Sequence, residues 1–285
     1  LVDLDGDGHK DILSGSWPGE LYFFHRQADG SFAPGVTLTH PDGKPIQPGH
    51  ASSAFATDWD ADGQMDLIVG NLLGSVVFLP GQASKGKGPL FGKPVPLQAG
   101  GKPIAVNGDA APVVADWDSD GTPDLIVGAE EGRVVWYRNI GKRGRPELQG
   151  PRLLLGKSPR AEGVTRREGE WGTRVKPCVV DFDGDGQLDL LLGDCGGGFV
   201  GKPETTKTER TEETTARALL PRLREQWAET FRTYREAKGE EADELRSKLV
   251  RLKDEIARVQ DIRDRYKEQS QTHGYVWWFR RQTAR

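Results

Sequence analysis

The 285-residue chain has two cysteines, Cys178 and Cys195, too few for a disulfide framework or a four-thiolate zinc site. Its five histidines, His9, His25, His40, His50 and His273, are scattered, and no His-Glu-x-x-His pair is present to hold a catalytic zinc. The G-x-S-x-G turn of serine hydrolases is missing as well. No apolar run approaches the ~18 residues that a membrane-spanning helix requires. Residues 1 to 15 carry five charged side chains and no apolar segment of the kind found in secretory signals. A formal charge of −4 is too small to argue for nucleic acid. The segment Gly196 to Gly201 matches G-x-G-x-x-G literally, but Lys202 is followed by Pro203 where a phosphate loop needs Ser or Thr. It is expected to be a flexible lead. Gly156-Lys157-Ser158 fails on spacing. What the chain has in quantity is 37 glycines and 18 prolines, the mark of many tight turns.

Those turns repeat. Asp3-x-Asp5-x-Asp7-Gly8-His9-x-Asp11 recurs as Asp58-x-Asp60-x-Asp62-Gly63-Gln64-x-Asp66. It recurs again as Asp116-x-Asp118-x-Asp120-Gly121-Thr122-x-Asp124 and as Asp181-x-Asp183-x-Asp185-Gly186-Gln187-x-Asp189. The four starts are 55, 58 and 65 residues apart. Each loop precedes a short apolar run closed by glycine (Gly15, Gly70, Gly128, Gly193), which reads as a buried strand. Another apolar strand follows in the first three copies: Leu21 to Phe24, Val76 to Leu79 and Val134 to Tyr137. Gly-Lys-Pro-Ile occurs at both 43–46 and 101–104. Each unit is therefore three or four antiparallel strands in about 55 residues, and such a sheet must stack on its neighbours to bury both faces.

Aspartates at positions 1, 3 and 5 of a tight loop converge on one centre. Like charges ~4 Å apart repel by about 4 kcal/mol a pair at an effective dielectric near 20. A hard dication turns that repulsion into attraction. Calcium takes 6–8 oxygens, and positions 1, 3, 5 and 9 together with the carbonyl of position 7 supply most of them. The predicted ligands are Asp3, Asp5, Asp7, His9 and Asp11; Asp58, Asp60, Asp62, Gln64 and Asp66; Asp116, Asp118, Asp120, Thr122 and Asp124; and Asp181, Asp183, Asp185, Gln187 and Asp189. Position 7 is included for its backbone oxygen, so the His9 imidazole is expected to be exposed. An EF-hand needs Glu at position 12, where these loops have Ser14, Val69, Val127 and Leu192.

The D-x-D-x-D-G-x-x-D-[IL] loops resemble the FG-GAP/VCBS repeats of β-propellers, the type found in integrin α-subunits. The resemblance covers the chain outside the segment near 201–270. It implies an all-β propeller, here a partial one of about four blades, with up to four Ca²⁺ at blade hairpins. It also implies an extracellular, cell-surface or periplasmic setting and a non-catalytic binding or adhesion role. The expected partner is a protein or carbohydrate on a propeller rim, with no nucleic acid and no membrane span. The alternative is a propeller-based lyase or hydrolase of carbohydrates, for which a His or Lys beside an acid in the central funnel would speak. Leu1-Val2 abuts the first loop, so the inner strand of the first blade is expected to be missing and the chain truncated.

The fourth copy is interrupted. Eighty residues separate Gly193 from Gly274, where the other copies have three between glycines, and Tyr275 to Phe279 then repeats the strand at 134–137. Residues 1–200 are thus expected to form blades, 201–270 an inserted helical hairpin and 271–285 the strand completing the fourth blade. Ala242, Leu245, Leu249, Leu252, Ile256 and Val259 make a heptad stripe, and Leu219, Leu223, Trp227, Phe231 and Tyr234 a facing one, with the turn at Gly239. Pro221 is expected in the first turn of its helix, or else to kink it. The hairpin is a candidate partner-docking arm, with a buttress as the equal alternative. The aromatic residues at loop position 2, Trp59 and Trp117, are expected to pack between blades, and Trp17 is the best exposed aromatic. A strand register pairing Val180 with Leu190 would keep Cys178 and Cys195 from facing each other, which favours two packed thiols over a disulfide.

Overall fold

The computed structural model describes residues 1–83, 88–158, 170–200, 206–235, 237–265 and 269–281. Two compact units emerge: residues 1–196 with 272–285, and residues 197–271.

The first unit consists of antiparallel sheets. The first sheet is β1 (Ile12–Gly15), β2 (Leu21–Phe24) and β3 (Val36–Thr37). The second is β4 (Ser53–Thr57), β5 (Asp66–Gly70) and β6 (Val76–Leu79), closed after a small hairpin of β7 (Gly81–Gln82) and β8 (Leu90–Phe91) by β9 (Val95–Pro96). A second small hairpin, β10 (Gln98–Ala99) with β11 (Lys102–Pro103), leads to the third sheet. That sheet is β12 (Ala111–Ala115), β13 (Asp124–Gly128), β14 (Val134–Tyr137) and β15 (Arg152–Leu155). The fourth is β16 (Thr173–Val180), β17 (Asp189–Val200) and β18 (Gln269–Phe279), with α1 (Lys207–Tyr234) and α2 (Glu240–Arg265) lying between β17 and β18 in the chain.

The sheets stack in sequence order, with the first strands β1, β4, β12 and β16 in successive contact. Alternation along the second strands explains the stacking. In β5, Leu67 and Val69 join Leu4, Leu21 and Phe23 of the first repeat, while Ile68 faces Leu125, Val127 and Tyr137 of the third. In β13, Ile126 turns to Val175, Leu190 and Leu192 of the fourth. A strand covered on both faces has no polar side, which is why β5 and β13 read as unbroken apolar runs. Ile46 and Ile104, closing the two Gly-Lys-Pro-Ile segments, are both buried in these layers.

Several expectations are corrected. Val180 pairs with Asp189 and Cys178 with Leu191, one residue off the expected register, because β17 begins at the last aspartate of the loop. Cys178 is exposed rather than packed, and both thiols are free. Gly196 to Val200 is not a loose lead: the backbone continues as strand in β17, alongside β18. Position 2 of the loop is buried as Leu4, Trp59 and Trp117, but Phe182 is exposed and rests on the Trp278 ring at 5.4 Å.

In the second unit α1 starts well before Pro221, which sits inside a 28-residue helix. The real N-terminus is a capping box: Thr206 accepts from the Glu209 N–H, and Glu209 reaches back to Thr206. The buried stripe is Ala216, Leu220, Leu223 and Thr230, with Leu219 and Trp227 partly covered, packed on Leu252, Ile256 and Val259 of α2. Phe231 is exposed and stacks on Trp227 at 5.1 Å instead of entering the seam. The expected stripe takes three successive steps of four from Leu219 to Phe231 and so drifts around the helix, whereas the buried one alternates steps of four and three. Among the described residues no helix is long and apolar enough to cross a membrane.

Candidate metal centres

The second, third and fourth acidic loops lie between the first and second strands of their sheets, the first loop directly precedes β1, and the four backbones are alike. The glycine at position 6 has φ of 89°, 89°, 90° and 84° (Gly8, Gly63, Gly121, Gly186). Position 4 is also left-handed in all four, as Gly6, Ala61, Ser119 and Gly184, with φ between 55° and 79°. The aspartate at position 1 organises the turn. Asp3 accepts N–H groups from Gly6 at 2.8 Å and Gly8 at 3.0 Å, and Asp181 those of Gly184 and Gly186 at the same distances. Asp7, Asp62, Asp120 and Asp185, at position 5, each accept the N–H two residues on. These are Asx turns, so part of the acidic pattern serves the backbone.

The remaining oxygens converge. Asp3, Asp5 and Asp7 bring one carboxylate oxygen each within 4.8 Å of the others, as do Asp58, Asp60 and Asp62, and Asp181, Asp183 and Asp185; in the third loop the trio is Asp116, Asp118 and Asp124. Asp5 and Asp11 form a further group with His25. The position-9 aspartates, Asp11, Asp66, Asp124 and Asp189, are fully buried. Asp66 and Asp189 stand outside these groups. His9 is exposed, and Gln64, Thr122 and Gln187 hold the same place in their loops.

What faces the carboxylates differs between loops. In the third, Arg138 donates to Asp118 at 2.5 Å and to Asp120 at 2.9 Å. In the fourth, Arg280 reaches Asp183 at 2.8 Å and Asp185 at 3.3 Å. In the first, the His25 ring nitrogens lie 3.1 Å from Asp5 and 3.8 Å from Asp7. Among the described residues no cationic side chain reaches Asp58, Asp60 or Asp62 of the second loop. There Asp58 Oδ1 and Asp60 Oδ1 are buried without a hydrogen-bond partner. A buried carboxylate oxygen left unpaired is costly, and a cation held by oxygen ligands would relieve it. The second loop therefore fits a hard dication best.

Burial and these partners set the ionisation of the loops, and burial raises Asp124 of the third loop as it does Asp66. Burial raises the Asp66 carboxyl above its ordinary range, against the lowering effect of N–H groups from Gly81 and Trp59. In the first loop, burial and then the charges of Asp11 and Asp7 push Asp5 up. Asp120 is held low, first by hydrogen bonds from Thr122 and then by Arg138. Asp189 is held low by the Arg281 N–H, with Arg280 contributing.

This loop with its flanking strands defines the relationship to known proteins. Residues 3–69 and 116–192, about half of the chain, match the FG-GAP-like repeat. The chain belongs to the FG-GAP-like repeat family. Human cartilage acidic protein 1 is 25% identical over 190 residues, covering 64% of this chain and 26% of that protein. The mouse cartilage acidic protein 1 is 25% identical over 194 residues with the same coverage. The chain thus spans about a quarter of the length of these curated relatives.

Two features of this FG-GAP-like chain escaped the sequence reading. One is the left-handed residue at position 4, hidden because Ala61 and Ser119 occupy it in two copies. The other is the residue 22 positions after the first aspartate: His25, Pro80 and Arg138, and Arg280 once the insertion is subtracted. A fixed offset was the available signal.

The FG-GAP-like sheets also share a cavity of about 730 Å³, with Trp17, Ser52, Asp109, Arg174, Lys176 and Asp194 among its lining residues. Asp109 and Arg174 both have positive φ, at 47° and 52°, and pair at 3.3 Å. Lys176 opens to this cavity, and desolvation lowers its ammonium below the ordinary lysine range, with Asp109 opposing and Arg174 reinforcing. Asp194 is engaged by N–H groups of Gly172 and Tyr275 and by the Trp277 indole.

Proposed function

We propose that the chain is a calcium-stabilised partial β-propeller of about four blades, acting as a non-catalytic binding module of an exported protein. Residues 1–200 and 271–285 would form the blades and 201–270 an inserted helical hairpin. The predicted position 1, 3, 5, 7 and 9 residues would supply calcium ligands, Asp58, Asp60 and Asp62 foremost. The observation that carries this is the second loop: three converging carboxylates, two buried oxygens without partners, and no cationic side chain among the described residues. Bound there, calcium would contribute charge neutralisation, while the chain's own part is to hold the hairpin and present the adjoining loops. A protein or carbohydrate would bind on that rim. The relatives' name points to cartilage, an extracellular tissue, which supports an exported setting.

Thermal and denaturant unfolding with chelator and with added calcium tests this. At a free concentration about 100 times the Kd, each native-state site adds about 2.7 kcal/mol. Unfolding that is indifferent to calcium would sink the proposal.

A second reading, a carbohydrate-active enzyme, is favoured by one observation: Lys176 lies with Asp109 and Arg174 in the shared cavity. Release of reducing or unsaturated ends from acidic polysaccharide, lost in Lys176→Ala, would support it; no release would leave the binding module.

A further inference from the structure

The family pattern implies four equivalent calcium loops, and the side chains around them are not equivalent. We propose that the residue 22 positions after the first aspartate decides whether a loop takes a metal. Arg138 and Arg280 then act as resident cations that close the third and fourth loops, leaving only the first two to bind calcium tightly. This rests on the calcium reading above and deepens it.

The geometry is repeated. After each loop the chain passes through two strands, and the residue leaving the second of them returns over the loop. The next residue along, Arg26, Gly81, Asn139 or Arg281, donates its N–H to the buried position-9 aspartate at 2.6–2.9 Å. That bond fixes the preceding side chain above the position 3 and 5 carboxylates. Where it is arginine, the guanidinium spans both: Arg138 on Asp118 and Asp120, Arg280 on Asp183 and Asp185. These are the oxygens that calcium would need. A guanidinium carries one charge on a planar fork and cannot share the pocket with a dication bound to the same atoms. In the second loop the position is Pro80, with no charge and no reach, and the orphaned oxygens of Asp58 and Asp60 remain. In the first loop it is His25, whose Nδ1 faces Asp5 and Asp11 at 3.1 and 3.5 Å. An imidazole has no planar fork with which to span both carboxylates, so it does not close the site as a guanidinium does.

The third loop keeps one unpartnered buried oxygen, Asp118 Oδ1, yet the other oxygen of that carboxylate holds Arg138, so its charge is already met.

Equilibrium dialysis of the full chain against radioactive calcium, after chelator treatment, counts the sites. Two tight sites per chain are expected, with any binding at the third and fourth loops about a hundredfold weaker. Arg138→Gln should raise the tight count to three, and Arg138→Gln with Arg280→Gln to four. Pro80→Arg should lower it to one. Circular dichroism of each variant establishes that the sheets persist, and Arg138→Lys, which keeps the charge but not the fork, should restore part of the closure. Four equal sites in the unmodified chain would overturn this proposal and leave the calcium reading intact. An unchanged count in folded Arg138→Gln would also overturn it. No calcium bound by any variant would overturn both.

Discussion

Asp124 and Asn139 are joined by a hydrogen bond of 2.6 Å from the Asn139 N–H to Asp124 Oδ1, while Asp124 Oδ2 takes the Trp117 N–H at 3.2 Å. One buried carboxylate therefore ties the entry of its loop to the exit of the third strand. Asp11 does the same for Leu4 and Arg26, and Asp66 for Trp59 and Gly81. Asp189 links Phe182 and Arg281. The position-9 acid thus acts as a clamp whether or not an ion is present.

Removing that clamp should be costly without any metal. Asp66→Ala strands the backbone N–H groups of Trp59, Asp60 and Gly81, each a penalty of about 1–3 kcal/mol when buried, so a loss of about 2–5 kcal/mol is expected, the long bond from Asp60 adding little. Asp66→Asn keeps one acceptor oxygen and should lose less. Urea unfolding in chelator checks the order; a loss confined to calcium-containing buffer would assign Asp66 to the ion alone.

Much of this architecture was legible because the loop has a strict grammar. Asp at 1, 3, 5 and 9 with Gly at 6 announces both the hairpin and the charge, and β5 and β13 announce burial on two faces. What was hidden is relational. That Arg138 covers Asp118, or that Asp124 serves Asn139, depends on how the third strand returns over the loop, which local propensity does not encode. Only the start of α1 was misplaced, and for a similar reason. Pro221 is a strong local breaker signal, but a capped 28-residue helix packed along one face tolerates it, as tertiary packing overrides propensity. Phe231 fell outside the seam because three successive steps of four from Leu219 drift by about 120° around the helix.

Ala61 and Ser119 hold the left-handed conformation that glycine provides at Gly6 and Gly184. An L-residue there is strained by roughly 1–2 kcal/mol, partly offset by the unfolded-chain entropy that glycine adds. Ala61→Gly and Ser119→Gly should each stabilise by about 0.5–1 kcal/mol. Midpoints of denaturant unfolding at unchanged slope measure this, and a destabilisation would show that the side chain makes a compensating contact.

Glu131 should confer a pH dependence. Burial alone would raise its carboxyl, but the Asn107 amide, Lys157 and Arg133 outweigh burial and hold it below its ordinary value of 4.5. The partners lie at 3.0, 3.2 and 3.1 Å. A depressed folded-state value means that the stabilisation is complete above the unfolded value and disappears as pH falls through the folded one. Because Lys157 and Arg133 reach solvent, Glu131→Gln is expected to cost only about 1 kcal/mol at pH 7. The gap between the two proteins should close as the pH falls below the ordinary carboxylate range. A gap that persists into acid would place the loss in packing.

The glycines that close the apolar run after each loop make the sheets' stacking testable. A Cβ on Gly15 would lie 1.9 Å from the Ser52 carbonyl oxygen, on Gly70 2.2 Å from that of Ala110, and on Gly128 2.3 Å from that of Val175. Each oxygen belongs to the chain entering the next sheet, so the glycine is required by close approach of two backbones. Among the described residues Gly193 has no such neighbour, and its Cβ would meet only Lys176 O of its own sheet, at 3.7 Å, an ordinary contact. Gly128→Ala must push two sheets apart and should cost about 3 kcal/mol. Gly193→Ala should be neutral or slightly stabilising, since alanine loses less entropy in a strand. The paired measurement separates stacking from strand propensity: equal losses at Gly128 and Gly193 would mean that the glycines serve the turns alone.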